Sequence, residues 1–195
     1  EMDKGSTALR SIIEATQDQR RYQELFWEGS FWDYLQMVED DPKIARNAWQ
    51  RLFDLVASHG SVAYEEYKKE IRRWHFFDDP FDAGKDAVFG IDIHLEKLVR
   101  VLHAAALGYG PEKRVVLLHG PVGSAKSTIA RLVKKGLEAY SKTLDGRMYT
   151  YVWVHPDGTE TPCPMHEDPL RLLPDATRQA ALDAASDGEL VAMVD

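Results

Sequence analysis

Cysteine is almost missing from this 195-residue sequence: Cys163 is the single one, so no internal disulfide can form and a reducing compartment is the simpler setting. Long apolar runs are missing too. Stretches such as Val115-Val116-Leu117-Leu118 fall far short of the roughly 20 residues a membrane span needs, and no apolar core stands behind the charges at the N-terminus. These absences point to a cytoplasmic protein with no membrane partner. Positive charge is in deficit, with a formal net charge of −8, which repels nucleic acid on average. The dense basic pairs Arg20-Arg21, Lys68-Lys69 and Arg72-Arg73 lie among Asp and Glu, as on solvated helix faces, so no nucleic-acid partner is expected. There is no internal repeat, no low-complexity tract, and neither the HRD-type catalytic loop nor the DFG triplet of a eukaryotic protein kinase. Gly108-Tyr109-Gly110 lacks a third glycine and precedes its strand where a dinucleotide loop would follow one, and it reads as a plain loop.

With 44% hydrophobic residues the chain can bury a core, and its length suits one domain or one domain plus a small helical unit. Residues 6–25 read as a helix with Leu9, Ile12, Ile13 and Leu25 near one face and Ser6 or Thr7 as cap. Ser30 caps a second helix over 31–38, and the turn Asp40-Asp41-Pro42 leads to a third carrying Ile44, Ala48, Leu52, Leu55 and Val56, which Gly60 ends. The aromatic residues Tyr22, Phe26, Trp27, Phe31, Trp32, Tyr34, Trp49 and Phe53 are expected to form the core of this helical unit. The composition changes at 74–85, a joint between units. The expected division is a helical N-terminal domain over 1–75 and a nucleotide-binding domain over 76–195. A helix over 91–107, a buried strand over 114–118, a helix from about Lys126 to Tyr140 and a strand over 148–154 then favour an α/β layer with parallel strands.

The chemistry sits in Gly120, Pro121, Val122, Gly123, Ser124, Ala125, Lys126, Ser127 and Thr128, between the expected strand and an amphipathic helix. This is the context of a phosphate-binding loop. Glycines let consecutive backbone N–H groups turn inward on phosphate oxygens, and the helix N-terminus adds partial positive charge. Lys126 is expected to reach the β- and γ-phosphates of ATP, Ser127 to complete the coordination of Mg²⁺, and Thr128 to contact the α-phosphate side. Ala125 stands where the GxxxxGK[ST] pattern has glycine. A negative φ there tolerates the methyl, whereas a positive φ strains the loop by roughly 1 kcal/mol. The plainer alternative, a turn that only links strand to helix, is outweighed by the strand, lysine, serine and threonine together.

Two further groups are candidates. Asp195, ending the apolar run from Leu190, has the form of an acid at a strand end that holds a metal or polarises water. Cys163-Pro164-Met165-His166-Glu167-Asp168-Pro169 gathers a thiol, an imidazole and two carboxylates, as in a metal site or a thiol nucleophile assisted by His166, but with one cysteine and adjacent residues that seldom converge on one ion, a structural or substrate-facing loop is the expectation.

Four stretches occur in an order that identifies a family: Phe26-Trp27-Glu28-Gly29-Ser30-Phe31-Trp32-Asp33-Tyr34-Leu35, then Phe89-Gly90-Ile91-Asp92, then residues 120–128, then Cys163 to Leu170. Over almost its whole length the sequence resembles the PrkA serine protein kinases. The resemblance implies a P-loop AAA-type ATPase core of α/β class, preceded by a small all-helical N-terminal domain, with ATP and Mg²⁺ as cofactors. It implies that Val88, Phe89 and Gly90 flank the base, and that kinase activity depends on a region after these residues. In that family the Walker B strand comes well beyond this point, which weighs against Asp195. The chain is then an N-terminal fragment with a truncated ATPase domain, inactive alone, while the full-length protein acts on a protein substrate and is open to homo-oligomerisation, since AAA modules place ATP between subunits. An AAA+ machine for protein remodelling or proteolysis, without kinase activity, and a pure ATP-sensing module are the alternatives.

Overall fold

The computed structural model describes residues 26–66 and 68–186. The expected helix over 6–25, Tyr22, and the apolar run ending at Asp195 lie outside them. The described chain divides into two compact units: Arg46–Tyr140 is one, and the described residues before and after it make the other.

In the unit spanning Arg46–Tyr140, Asn47 opens the first helix as an N-cap. Its side chain accepts from Trp49 and Gln50 N–H, and the Gln50 side chain accepts from the Asn47 N–H in return. This reciprocal capping satisfies N–H groups that a helix start leaves orphaned. Helix α2 (Ala48–Ser58) presents Leu55 and Val56 to the core; α1 (Phe31–Asp40), the first helix among the described residues, belongs to the other unit. Gly60, at φ 74°, turns the chain into an antiparallel hairpin of β1 (Ser61–Glu66) and β2 (Lys69–Trp74), with Tyr64 opposite Ile71. The N-terminal segment is therefore not all-helical: Val62, Tyr64, Ile71 and Trp74 are β-formers, and pairing across the hairpin outweighs the charges that made 68–73 look like a helix surface.

A 3₁₀ turn, His75–Asp78, then inserts Phe76 and Phe77 into the core. Helix α3 (Asp92–Ala106) adds Leu95, Val99 and Leu102 from one face. Helix α4 (Lys126–Tyr140) adds Ile129 and Leu132. These residues form one cluster with Leu55, Val56 and Val88. The expected boundary between residues 75 and 76 falls inside this unit, where Phe76 and Phe77 share that cluster with Leu55 and Val56. Gly136 is the point of closest approach. A Cβ there would lie 2.7 Å from Phe76 Cε2 and 3.0 Å from Leu55 Cδ2.

In the other unit, Ser30 caps α1 (Phe31–Asp40) through a capping box with Asp33. Tyr34 and Val38, four apart on one face, are buried with Ile44 and Leu170. A 3₁₀ turn, Pro42–Ala45, follows α1. After residue 141 the unit contains the short antiparallel pair β3 (Val152–Val154) and β4 (Glu160–Pro162), a 3₁₀ turn Pro169–Leu172, and α5 (Asp175–Ser186), which packs on α1.

Four further expectations change. The strand over 114–118 is not formed: residues 115–120 have no ladder bonds, and Val115 and Leu117 are 93% and 81% exposed. A parallel strand takes its hydrogen bonds from neighbours, and among the described residues none pairs with it, both sheets being two-stranded antiparallel hairpins. The parallel layer is correspondingly not seen there, and of 148–154 only Val152–Val154 is strand. The aromatic group does not make one core either. Trp27 and Tyr34 belong to one cluster, Trp49 and Phe53 pack on the other, and Phe26 and Trp32 are exposed.

Candidate functional site

The loop from Gly120 to Lys126 is organised by one carbonyl and one ammonium. The Pro121 carbonyl accepts from Ser124 Oγ at 2.8 Å and from Lys126 Nζ at 2.5 Å. Lys126 Nζ also donates to the Gly120 carbonyl and to Ser124 Oγ, each at 2.9 Å. The ammonium thus sits in the concave side of the turn, on the first residue of a 15-residue helix. Charge and helix terminus act in the same sense there, since the orphaned N–H groups of the first turn carry partial positive charge.

Two glycines shape the loop. A Cβ on Gly120 would stand 2.8 Å from Ser124 Oγ, so a side chain would push into the turn, and Gly123 has φ 86°. Ala125 has φ 57°, in the left-handed region. Of the two cases set out from the sequence, the strained one holds. Its methyl is half-buried against the core cluster, and its carbonyl accepts the Ile129 N–H at 2.8 Å, the first regular bond of α4. Ser127 is exposed, Thr128 half-buried, and Val122 fully exposed.

Val88, Phe89 and Gly90 lie in the same unit, at the entry to α3. Val88 is buried in the cluster that holds Ile129 and Leu132 of α4, and its N–H donates to the Phe77 carbonyl at 2.9 Å. Phe89 is 66% exposed, with the Arg73 guanidinium 5.1 Å above its ring, and Gly90 has φ 76°. The hairpin is tied to this entry by Tyr64 OH, which donates to Asp92 Oδ2 at 2.8 Å. Arg73 pairs with Asp78 and stands 3.8 Å from Asp92.

The segment from Cys163 to Pro169 serves the other unit's architecture. Asp168 accepts the Leu170 N–H at 2.8 Å and the Tyr34 hydroxyl at 2.7 Å, which joins two of the stretches that carry the family resemblance. Cys163 is buried while His166 is exposed. The Glu167 backbone N–H, and then the Tyr151 hydroxyl, hold the thiol below its ordinary pKa against the burial that would raise it. That unit also contains a cavity of about 960 Å³, lined by aromatic side chains including Trp27, Tyr34, Tyr149 and Trp153. None of residues 120–128 lines it.

One network was not foreseen from the sequence. Lys135 lies 2.8 Å from Asp86 Oδ2, 3.3 Å from Asp82 Oδ2 and 3.8 Å from Asp79 Oδ2, and Arg131 lies 3.2 Å from Asp86 Oδ1. Its signal was present in three acids spaced over eight residues, and in two basic residues one turn apart on the helix behind the loop.

Comparison with known proteins places these observations. The family model described as the PrkA AAA domain matches residues 29–186. The chain is 39% identical over 153 residues to a Bacillus subtilis (strain 168) protein named "ATP-dependent protease PrkA", covering 78% of this chain and 21% of that protein. It is 31% identical over 106 residues to a Geobacillus stearothermophilus protein named "Uncharacterized protein in gldA 5'region", covering 53% of this chain and 98% of that one. The chain thus spans about a fifth of the length of the Bacillus relative. No solved structure matches.

Proposed function

The chain belongs to the PrkA AAA domain family, and from that premise we propose that it binds ATP with Mg²⁺ through residues 120–128 and serves as the nucleotide-binding part of an ATP-driven protein-processing enzyme. The observation that carries this reading is the Lys126 ammonium, held 2.9 Å from the Gly120 carbonyl and from Ser124 Oγ at the first residue of α4. Bound ATP supplies the phosphoanhydride whose cleavage drives the work. Lys126 would exchange carbonyl acceptors for phosphate oxygens, a gain because donor and acceptor would then carry opposite charges. Gly120 and Gly123 keep side chains out of the cradle, the exposed Ser127 hydroxyl is placed to hold Mg²⁺, and Thr128 follows on the α-phosphate side. Val88, Phe89 and Gly90 take the base, with the exposed Phe89 ring as its apolar contact.

The printed name of the Bacillus relative, an ATP-dependent protease, favours ATP-driven proteolysis or protein remodelling. The second reading is the serine protein kinase implied by the resemblance of residues 26–35 and 163–170 to that family. Full-length protein with γ-labelled ATP and an unfolded protein separates the two. Label released as inorganic phosphate, faster when the unfolded protein is present, supports the first; label on serine supports the second. Lys126→Ala should abolish either signal, and a signal that survives it contradicts the assignment of the loop.

A further inference from the structure

Residues 79–86 form a closed loop around a buried carboxylate. Asp79 is 1% exposed, with φ 54°. Its Oδ2 accepts the Asp86 N–H at 2.8 Å, its carbonyl accepts the Gly84 N–H at 3.0 Å, and its Oδ1 has no hydrogen-bond partner among the described residues. A carboxylate in that position needs a compensating charge, because burial of an unpaired one is strongly unfavourable. Helix α4 supplies it, through Lys135 against all three acids and Arg131 against Asp86.

Helix α4 therefore has two roles along its length. Its first residue is Lys126 of the phosphate loop, and nine residues later, about 13 Å along the axis, Lys135 grips the acidic loop. That loop runs directly into Val88, Phe89 and Gly90. Resting on the reading that those three flank the base, we propose that Lys135, assisted by Arg131, is a positioning residue for the nucleotide base. It holds residues 79–86, and hence the base-flanking segment, at a fixed distance from the phosphates. The Arg73 guanidinium over Phe89 and the Tyr64 hydroxyl on Asp92 steady the same segment from the hairpin side. An ionic tie suits this task better than an apolar one. Apolar residues of similar volume are often as stabilising, whereas in some proteins charged groups with few good geometries specify one arrangement.

The test compares ATP with tripolyphosphate, each with Mg²⁺, by titration calorimetry on this chain. Lys135→Met should weaken ATP about tenfold, within the usual range of coupling energies, and leave tripolyphosphate unchanged. Lys135→Arg should restore most of the loss. Arg131→Met, at a side chain 57% exposed, should give a smaller effect in the same sense and serves as the readout if Lys135→Met fails to fold. Phe89→Ala tests the underlying reading alone. If it weakens ATP selectively while the Lys135 and Arg131 variants do not, the positioning role is overturned and the base site stands. If Phe89→Ala does not discriminate between the two ligands, the base site falls and the positioning role with it. An equal loss of both ligands in Lys135→Met means a structural role only and overturns the proposal.

Discussion

Ala125 shows how much one methyl can decide. In the left-handed region an alanine costs roughly 1–2 kcal/mol relative to glycine, but its half-buried methyl returns about 0.4 kcal/mol, half of what full burial gives, by packing on the core cluster. Glycine would also lose more backbone entropy on folding, by up to about 1 kcal/mol. These terms nearly cancel, so Ala125→Gly should change stability by less than about 1 kcal/mol in urea unfolding; a gain above about 2 kcal/mol would mean that the strain is uncompensated. The sequence marked Ala125 as the departure from the loop pattern. It could not give the sign of φ, which depends on how the loop joins the first turn of α4. The position of Lys126, first on a helix after a glycine turn, was legible because both signals are local. Lys135 was not, because its partners lie 49 and 53 residues away in sequence.

Helices were the readable elements. α4 begins and ends where periodicity placed it, and Ser30 announces the start of α1 locally; the helix expected to carry Ile44 begins only at Ala48, behind the Asn47 cap, and Ile44 lies in the 3₁₀ turn before it. The strands were mostly not readable, Val152–Val154 within the expected 148–154 being the exception, because their stability resides in partners. Residues 114–118 have strand composition but no ladder among the described residues, while 61–74, rich in charge, pairs with itself. Close packing of α4 gives a prediction at this scale. Gly136 is a poor helix former that here lets the backbone approach Phe76 and Leu55, so Gly136→Ala should destabilise by about 1–3 kcal/mol through overpacking, in spite of alanine's higher helix propensity. Chemical denaturation measures this, and a stabilised variant would contradict the tight approach.

At the scale of the whole molecule, acid should be the weak direction. The Lys135 ammonium, then the charges of Arg131 and Lys85, keep the Asp86 carboxyl below its usual pKa against burial. Asp78 is lowered as well: burial would raise it, but hydrogen bonds from Arg73 and His75 outweigh that effect. Ser30, through its side chain and then its backbone, lowers Asp33. Groups depressed in the folded state add stability above the unfolded carboxylate value of about 3.9 and lose it as pH falls through their folded values. Thermal unfolding should therefore show Tm falling steeply below about pH 4, and a flat profile would mean that these pairs are not formed in solution. The account as a whole depends on the phosphate loop, and the most direct measurement is calorimetric titration of this chain with a non-hydrolysable ATP analogue and Mg²⁺, beside Lys126→Ala. Micromolar binding that disappears in the variant is the predicted result; equal binding by both proteins, or none by either, would contradict it.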